Sequence, residues 1–155
     1  MPTEIERKFL LKNDSWRKGA DEGMHMVQAY MGSNNKSSIR IRIHGDSANL
    51  NIKSKTLGIQ RSEYEYPIPL DEAKEMLESL CDKPYIEKTR FHVIHDGHEW
   101  EIDVFTGENT GLIVAELELE SVDETFTKPD WLGKEVSDDP RYYNICLVNH
   151  PYKNW

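Results

Sequence analysis

The chain has 155 residues, one domain's worth, and a formal net charge of −9 from 28 acidic and 19 basic side chains. That balance argues against a general nucleic-acid or membrane-surface binder, although it leaves room for a locally basic pocket. No apolar run approaches the roughly 18 residues of a membrane helix, the N-terminus is charged at once with no signal-peptide pattern, and Cys81 and Cys146 form no CxxC, so reduced thiols in the cytoplasm are expected.

Period-2 alternation dominates the chain and predicts strands. Ile5, Arg7, Phe9 and Leu11 alternate with Glu4, Glu6 and Lys8. Residues 25–32 read as a second strand. Ile39, Ile41 and Ile43 alternate with Arg40 and Arg42, and Leu50 and Ile52 alternate with Asn49, Asn51 and Lys53; Gly45-Asp46 between them suits a hairpin turn. Residues 61–66 alternate again and stop at Pro67. Leu70 to Leu80 changes to helical spacing, with Leu70, Ala73, Met76, Leu77 and Leu80 on one face and Asp71 in the first turn, where it complements the helix dipole. Strands return at 86–94 and 98–105, joined by a hairpin at Asp96-Gly97, and at 112–120. The tail from Asp123 is mixed, with a helix expected from about Pro140 to Val148 and Asp138-Asp139 at its N-terminus. The class is α+β with mainly antiparallel pairing among about eight strands.

In the strands other than residues 25–32, one face is charged. The clusters are Glu4, Glu6 and Lys8; Arg40 and Arg42; Lys53; Arg61, Glu63 and Glu65; Lys88 and Arg90; Glu101 and Asp103; and Glu116 and Glu118. Alternation projects each cluster to one side. For any single strand, a sheet with its polar face in water explains this. An exposed face would, however, mix in Thr, Ser and Gln, and here the positions are nearly all full charges. A closed barrel of about eight strands can hold a small ligand. A charged interior requires that its charges be paired or bind ions and ligand. Carboxylates clustered without imidazole or thiolate favour Mg²⁺ or Mn²⁺. Arginines and lysines in the same chamber suit phosphate oxygens. The inferred ligand is a small-molecule triphosphate or polyphosphate with bound metal; no nucleic acid or membrane is required, and a homodimer is left open.

In chain order, Glu4-Ile5-Glu6-Arg7-Lys8 resembles the ExExK signature of the CYTH and triphosphate tunnel metalloenzyme family. Arg40-Ile41-Arg42, Ile52-Lys53-Ser54, Arg61 to Glu65, Glu87 to Arg90, Glu101 to Phe105 and Glu116-Leu117-Glu118 resemble its later strands. Val136 to Asn144, with Arg141-Tyr142, resembles its C-terminal turn and helix, although Tyr143 stands where some members have Lys. The resemblance implies a single domain over residues 1–155, an eight-stranded antiparallel β-barrel tunnel with helices outside. It implies metal at Glu4, Glu6, Glu116 and Glu118. It implies phosphate contacts from Lys8, Arg40, Arg42, Lys53, Arg61, Lys88 and Arg90, with Lys8, Lys88 and Arg90 serving catalysis. Glu63, Glu65, Glu101 and Asp103 would complete an acidic lining. The implied activity is divalent-metal-dependent hydrolysis of a triphosphate, foremost inorganic tripolyphosphate to diphosphate and phosphate. The alternatives are adenylate cyclase of the class IV type, thiamine triphosphatase and a non-catalytic triphosphate-binding module. His92, His95 and His98 are read as a solvated turn, and Trp100, Trp131 and Trp155 as packing residues.

Overall fold

The computed structural model describes residues 2–56 and 58–155. Among them the alternating segments form β1 (Thr3–Leu11), β2 (Met24–Ser33), β3 (Ser37–His44), β4 (Ser47–Ser54), β5 (Gln60–Ile68), β6 (Ile86–His95), β7 (His98–Thr106), β8 (Ile113–Glu118) and β9 (Leu132–Glu135); the α-helices are α1 (Leu70–Leu80) and α2 (Asn144–Asn149). Eight antiparallel strands close into a barrel in the order β1-β5-β4-β3-β2-β6-β7-β8 and back to β1. Closure falls on β1. Its Glu6–Leu10 pair with β8, its Thr3–Ile5 pair with β5, and Phe9 and Leu11 pair with β9. The short β9 extends the seam beyond the barrel expected from sequence.

This barrel is apolar outside and charged inside, so its outer face has to be covered. Ala29, Ile41 and Ala48 pack under Ala73 and Leu77 of α1. The buried face of α1 ends at Leu77, because Leu80, expected on the same stripe, is exposed. Phe9, Trp100, Ile102 and Leu117 form a second outer cluster with Trp16, which lies in a 3₁₀ turn at Ser15–Gly19, and with Trp131. A third cluster differs in kind. Ile86 lies on the same face of β6 as Lys88 and Arg90, Phe105 on the face of Asp103, and Val114 on the face of Glu116. These three pack with Tyr142, Leu147 and Val148. The C-terminal segment therefore caps one end of the charged interior with apolar side chains.

Three local details depart from the sequence reading. β5 runs on through Pro67 to Ile68; β1 pairs only with Gln60–Ser62, so beyond that point β5 has β4 alone as a neighbour, a setting that tolerates proline. β8 is shorter than residues 112–120. The expected C-terminal helix is divided into a 3₁₀ turn, Pro140–Tyr142, and α2, because Tyr143 is extended (φ −71°, ψ 134°). Pro140 opens that turn, and Asp139 caps it by accepting from the Arg141 amide at 3.1 Å.

Candidate active site

The inward rows meet in one cavity of about 220 Å³. Its walls carry Glu4, Glu6 and Lys8 from β1, Arg40 and Arg42 from β3, Lys53 from β4, Arg61, Glu63 and Glu65 from β5, Lys88 and Arg90 from β6, Glu101 from β7, and Glu116 and Glu118 from β8. The residues singled out in the sequence thus converge, with one correction. Asp103, expected in the lining, is fully buried behind it. It accepts from Lys88 Nζ at 2.7 Å and from Arg90 Nε and Nη2 at 2.8 and 2.9 Å. Burial alone would raise the Asp103 pKa, but Arg90 and Lys88 outweigh it and hold the carboxylate below its ordinary value.

Charges of opposite sign face each other around the wall. Lys53 Nζ lies 3.1 Å from both Glu4 Oε2 and Glu63 Oε2, Lys8 Nζ lies 3.9 Å from Glu116, and Arg90 lies 3.1 Å from Glu101 and 3.7 Å from Glu116. Pairing is incomplete among the cations. Lys88 is pushed down to about 7 by burial and by Arg90 and Arg42, against the pull of Asp103. Arg42 is pushed down to about 10 by burial, Arg40 and Arg90. Buried cations that depress one another's charge make a site that an added polyanion relieves.

The carboxylates show the converse. Glu6, Glu101 and Glu116, from three strands, place oxygens within 4.8 Å of one another. Burial, Glu116 and Glu4 push Glu6 well above the usual carboxylate range. Burial also opposes ionisation of Glu116, yet Lys8, Arg90 and Lys88 prevail and hold it well below that range. A carboxylate forced toward neutrality beside an ionised one is a place where a divalent cation resolves the repulsion. The donors are all oxygens, and among the described residues no His or Cys lines the cavity, which fits a hard divalent cation. The tightest group includes Glu101 and differs from the expected four. Glu4 is turned toward Lys53, which holds its pKa below the ordinary value against the effect of burial. Glu118 is exposed at the rim, its pKa raised by burial and by Glu4, Glu101 and Glu63.

Tyr30, Ser38, Ser137, Tyr143 and Asn144 also line the cavity. Their neutrality hid all but Tyr143 from a search for charge, although Tyr30 and Gln28 share the inward face of β2. Tyr143 offers no cation, but its ring lies 5.7 Å from Lys8 Nζ and 5.3 Å from Arg61 Cζ. Its hydroxyl donates to the Ser137 carbonyl at 2.8 Å. The histidines are not among the lining residues: His98 pairs with Glu124 at 2.7 Å, while His92 pairs with Asp21 at 3.0 Å and comes within 3.6 Å of Glu101 from behind the wall. Among the described residues, no helix is long and apolar enough to cross a membrane.

An antiparallel barrel with paired cations and carboxylates inside defines a chamber for a polyanion and a metal. The CYTH domain matches residues 2–143, and the chain belongs to that family. It is 46% identical over 155 residues to an inorganic triphosphatase of Acetivibrio thermocellus, covering 100% of this chain and 99% of that one. An inorganic triphosphatase of Nitrosomonas europaea is 36% identical over 150 residues, covering 94% and 97% of the two chains. A solved structure of an inorganic triphosphatase superposes with a TM-score of 0.66 at 33% identity, over 94% of this chain and 97% of that one. A conserved hypothetical protein from Pyrococcus furiosus shares the fold at 19% identity with a TM-score of 0.60, over 77% and 80% of the chains.

Proposed function

We propose that the protein is a cytoplasmic, single-domain hydrolase that cleaves inorganic triphosphate to diphosphate and phosphate with a divalent metal ion. The observation that carries this reading is the encirclement of one cavity by cations from β1, β3, β4, β5 and β6 with a carboxylate trio in the same wall. The two similar inorganic triphosphatases support the choice of substrate. Arg40, Arg42, Lys53, Lys88 and Arg90 would contact phosphate oxygens from opposite walls and hold the chain of phosphates extended. Lys8, Lys88 and Arg90 would stabilise the charge spread over the transferring phosphoryl oxygens. Water would attack the terminal phosphorus, a new P–O bond forming as the bond to the departing diphosphate breaks, and the water's two protons end one on the phosphate and one on the diphosphate. Glu6, Glu101 and Glu116 would hold Mg²⁺ or Mn²⁺, with Glu4 and Glu118 flanking, and the ion would neutralise phosphoryl oxygens as a Lewis acid. The apolar plug at the α2 end supports a short substrate, since it closes one end of the basic chamber.

Phosphate and diphosphate release from tripolyphosphate, ATP and thiamine triphosphate, each with Mg²⁺ or Mn²⁺, tests the proposal. The highest kcat/KM should fall to tripolyphosphate, and activity should vanish in EDTA and return with metal. Glu6→Gln should weaken the affinity for Mn²⁺ measured by calorimetry. Cyclic AMP as the main product from ATP, or full activity in chelator, would overturn the reading.

A further inference from the structure

Lys88 has three N–H donors and almost no exposure. One donor goes to Asp103 Oδ2 at 2.7 Å and a second to Asn144 Oδ1 at 3.0 Å. The same Asn144 oxygen accepts from Gln28 Nε2 at 2.9 Å, and Gln28 Oε1 accepts from Arg42 Nε at 2.9 Å. A chain therefore runs Lys88, Asn144, Gln28, Arg42, joining β6, α2, β2 and β3. Its amide orientations follow from charge. Lysine and arginine can only donate, so the oxygen of each amide must face its cation, and the Gln28 amide nitrogen is left to bridge the two.

We propose that Asn144 and Gln28 are a positioning couple that aims Lys88 and Arg42 at the phosphates; this rests on the triphosphate reading of the cavity. The two cations repel each other in a buried setting. Two neutral side chains, each with its oxygen toward a cation, hold them apart at fixed separation without cancelling the charge that a polyanion needs. With two donors committed, Lys88 has one N–H left for the cavity, and its flexible stem is denied other geometries. Asn144 is the first residue of α2, whose docking is secured separately by Leu147 and Val148 in the apolar cap. Positioning and helix docking can therefore be told apart.

The test compares Asn144→Leu, Asn144→Asp, Gln28→Leu and the double leucine variant with the native protein. The readouts are kcat and KM for inorganic triphosphate with Mg²⁺, and far-UV circular dichroism. Asn144→Leu should retain native secondary structure yet lose about a hundredfold in kcat/KM, the cost of a misplaced contact group. Asn144→Asp keeps the acceptor oxygen for Lys88 and Gln28 but adds a negative charge facing the polyanion, so it should act mainly by raising KM, with kcat nearer native than in Asn144→Leu. The double variant should be no worse than the worse single, since either cut breaks one chain. If Asn144→Leu fails to fold, Gln28→Leu against the native protein decides alone, by the same expected loss. Native kinetics in the leucine variants, losses that multiply in the double variant, or a kcat in Asn144→Asp no nearer native than in Asn144→Leu would each overturn the couple while leaving the functional reading intact. A native protein that leaves inorganic triphosphate uncleaved would instead overturn the functional reading itself.

Discussion

Asp103→Asn should be the most revealing single substitution in the barrel. It preserves shape while removing the carboxylate that accepts from both Lys88 and Arg90. The side chains of Lys88, Arg90 and Asp103 are 1%, 8% and 0% exposed, so water cannot take over the lost interaction. Breaking a buried ion pair from one side costs about 3–5 kcal/mol. For a domain of this size each kcal/mol moves Tm by about 2–4 °C, so a fall of about 6–20 °C is expected. The cavity supplies a second, sharper expectation. Tripolyphosphate brings the negative charge that the variant lacks, so adding it should narrow the Tm gap between variant and native protein. Scanning calorimetry with and without tripolyphosphate measures both. A fall under about 2 °C, or a gap unchanged by the polyanion, would refute the claim that Asp103 is the counter-charge of the basic floor.

Burial and its cationic neighbours bring Lys88 from 10.5 down to about 7. Between those two values the unfolded chain binds more protons than the folded one, so this group makes stability rise with pH across that window. Triphosphate binding at pH 8 should then recharge Lys88, seen as proton uptake when calorimetry is repeated in buffers of different ionisation heat. An equal proton count in Lys88→Met would sink this. The Tyr143 ring against Lys8 and Arg61 is worth about 0.5–1 kcal/mol per contact. Tyr143→Leu should therefore raise KM for tripolyphosphate several-fold, and Tyr143→Phe should stay within about twofold of native; equal effects of the two would remove the ring from the argument.

The barrel was legible because burial on one side forces period 2, and here both sides were constrained, by covering layers outside and by ligand chemistry within. Arg40 and Arg42 between Ile39, Ile41 and Ile43 illustrate it. The proximity of Glu101 to Glu6 and Glu116 was not legible, because it arises from register across β7, β8 and β1 rather than from spacing along any strand. The role of Asp103 was hidden similarly: alternation assigns a face but not depth. Gln28 and Asn144 carry no charge and drew no notice, yet they bridge two of the basic residues that did. β9 is four residues long and has too few alternations to stand out from the surrounding tail.

The arrangement of β1 has a consequence for how the chain matures. This strand precedes the other eight in chain order, but β8 and β9, which take up most of its hydrogen bonds, lie more than a hundred residues later. Until they emerge, a strand bearing Ile5 and Phe9 on one side and Glu4, Glu6 and Lys8 on the other has an unsatisfied edge. Pairing the two ends of the sequence requires closing a very long loop, which slows folding. Chaperone capture during synthesis should therefore concentrate on the N-terminal segment. A circular permutant that places β1 after β9 would shorten the wait and should fold faster than the native order.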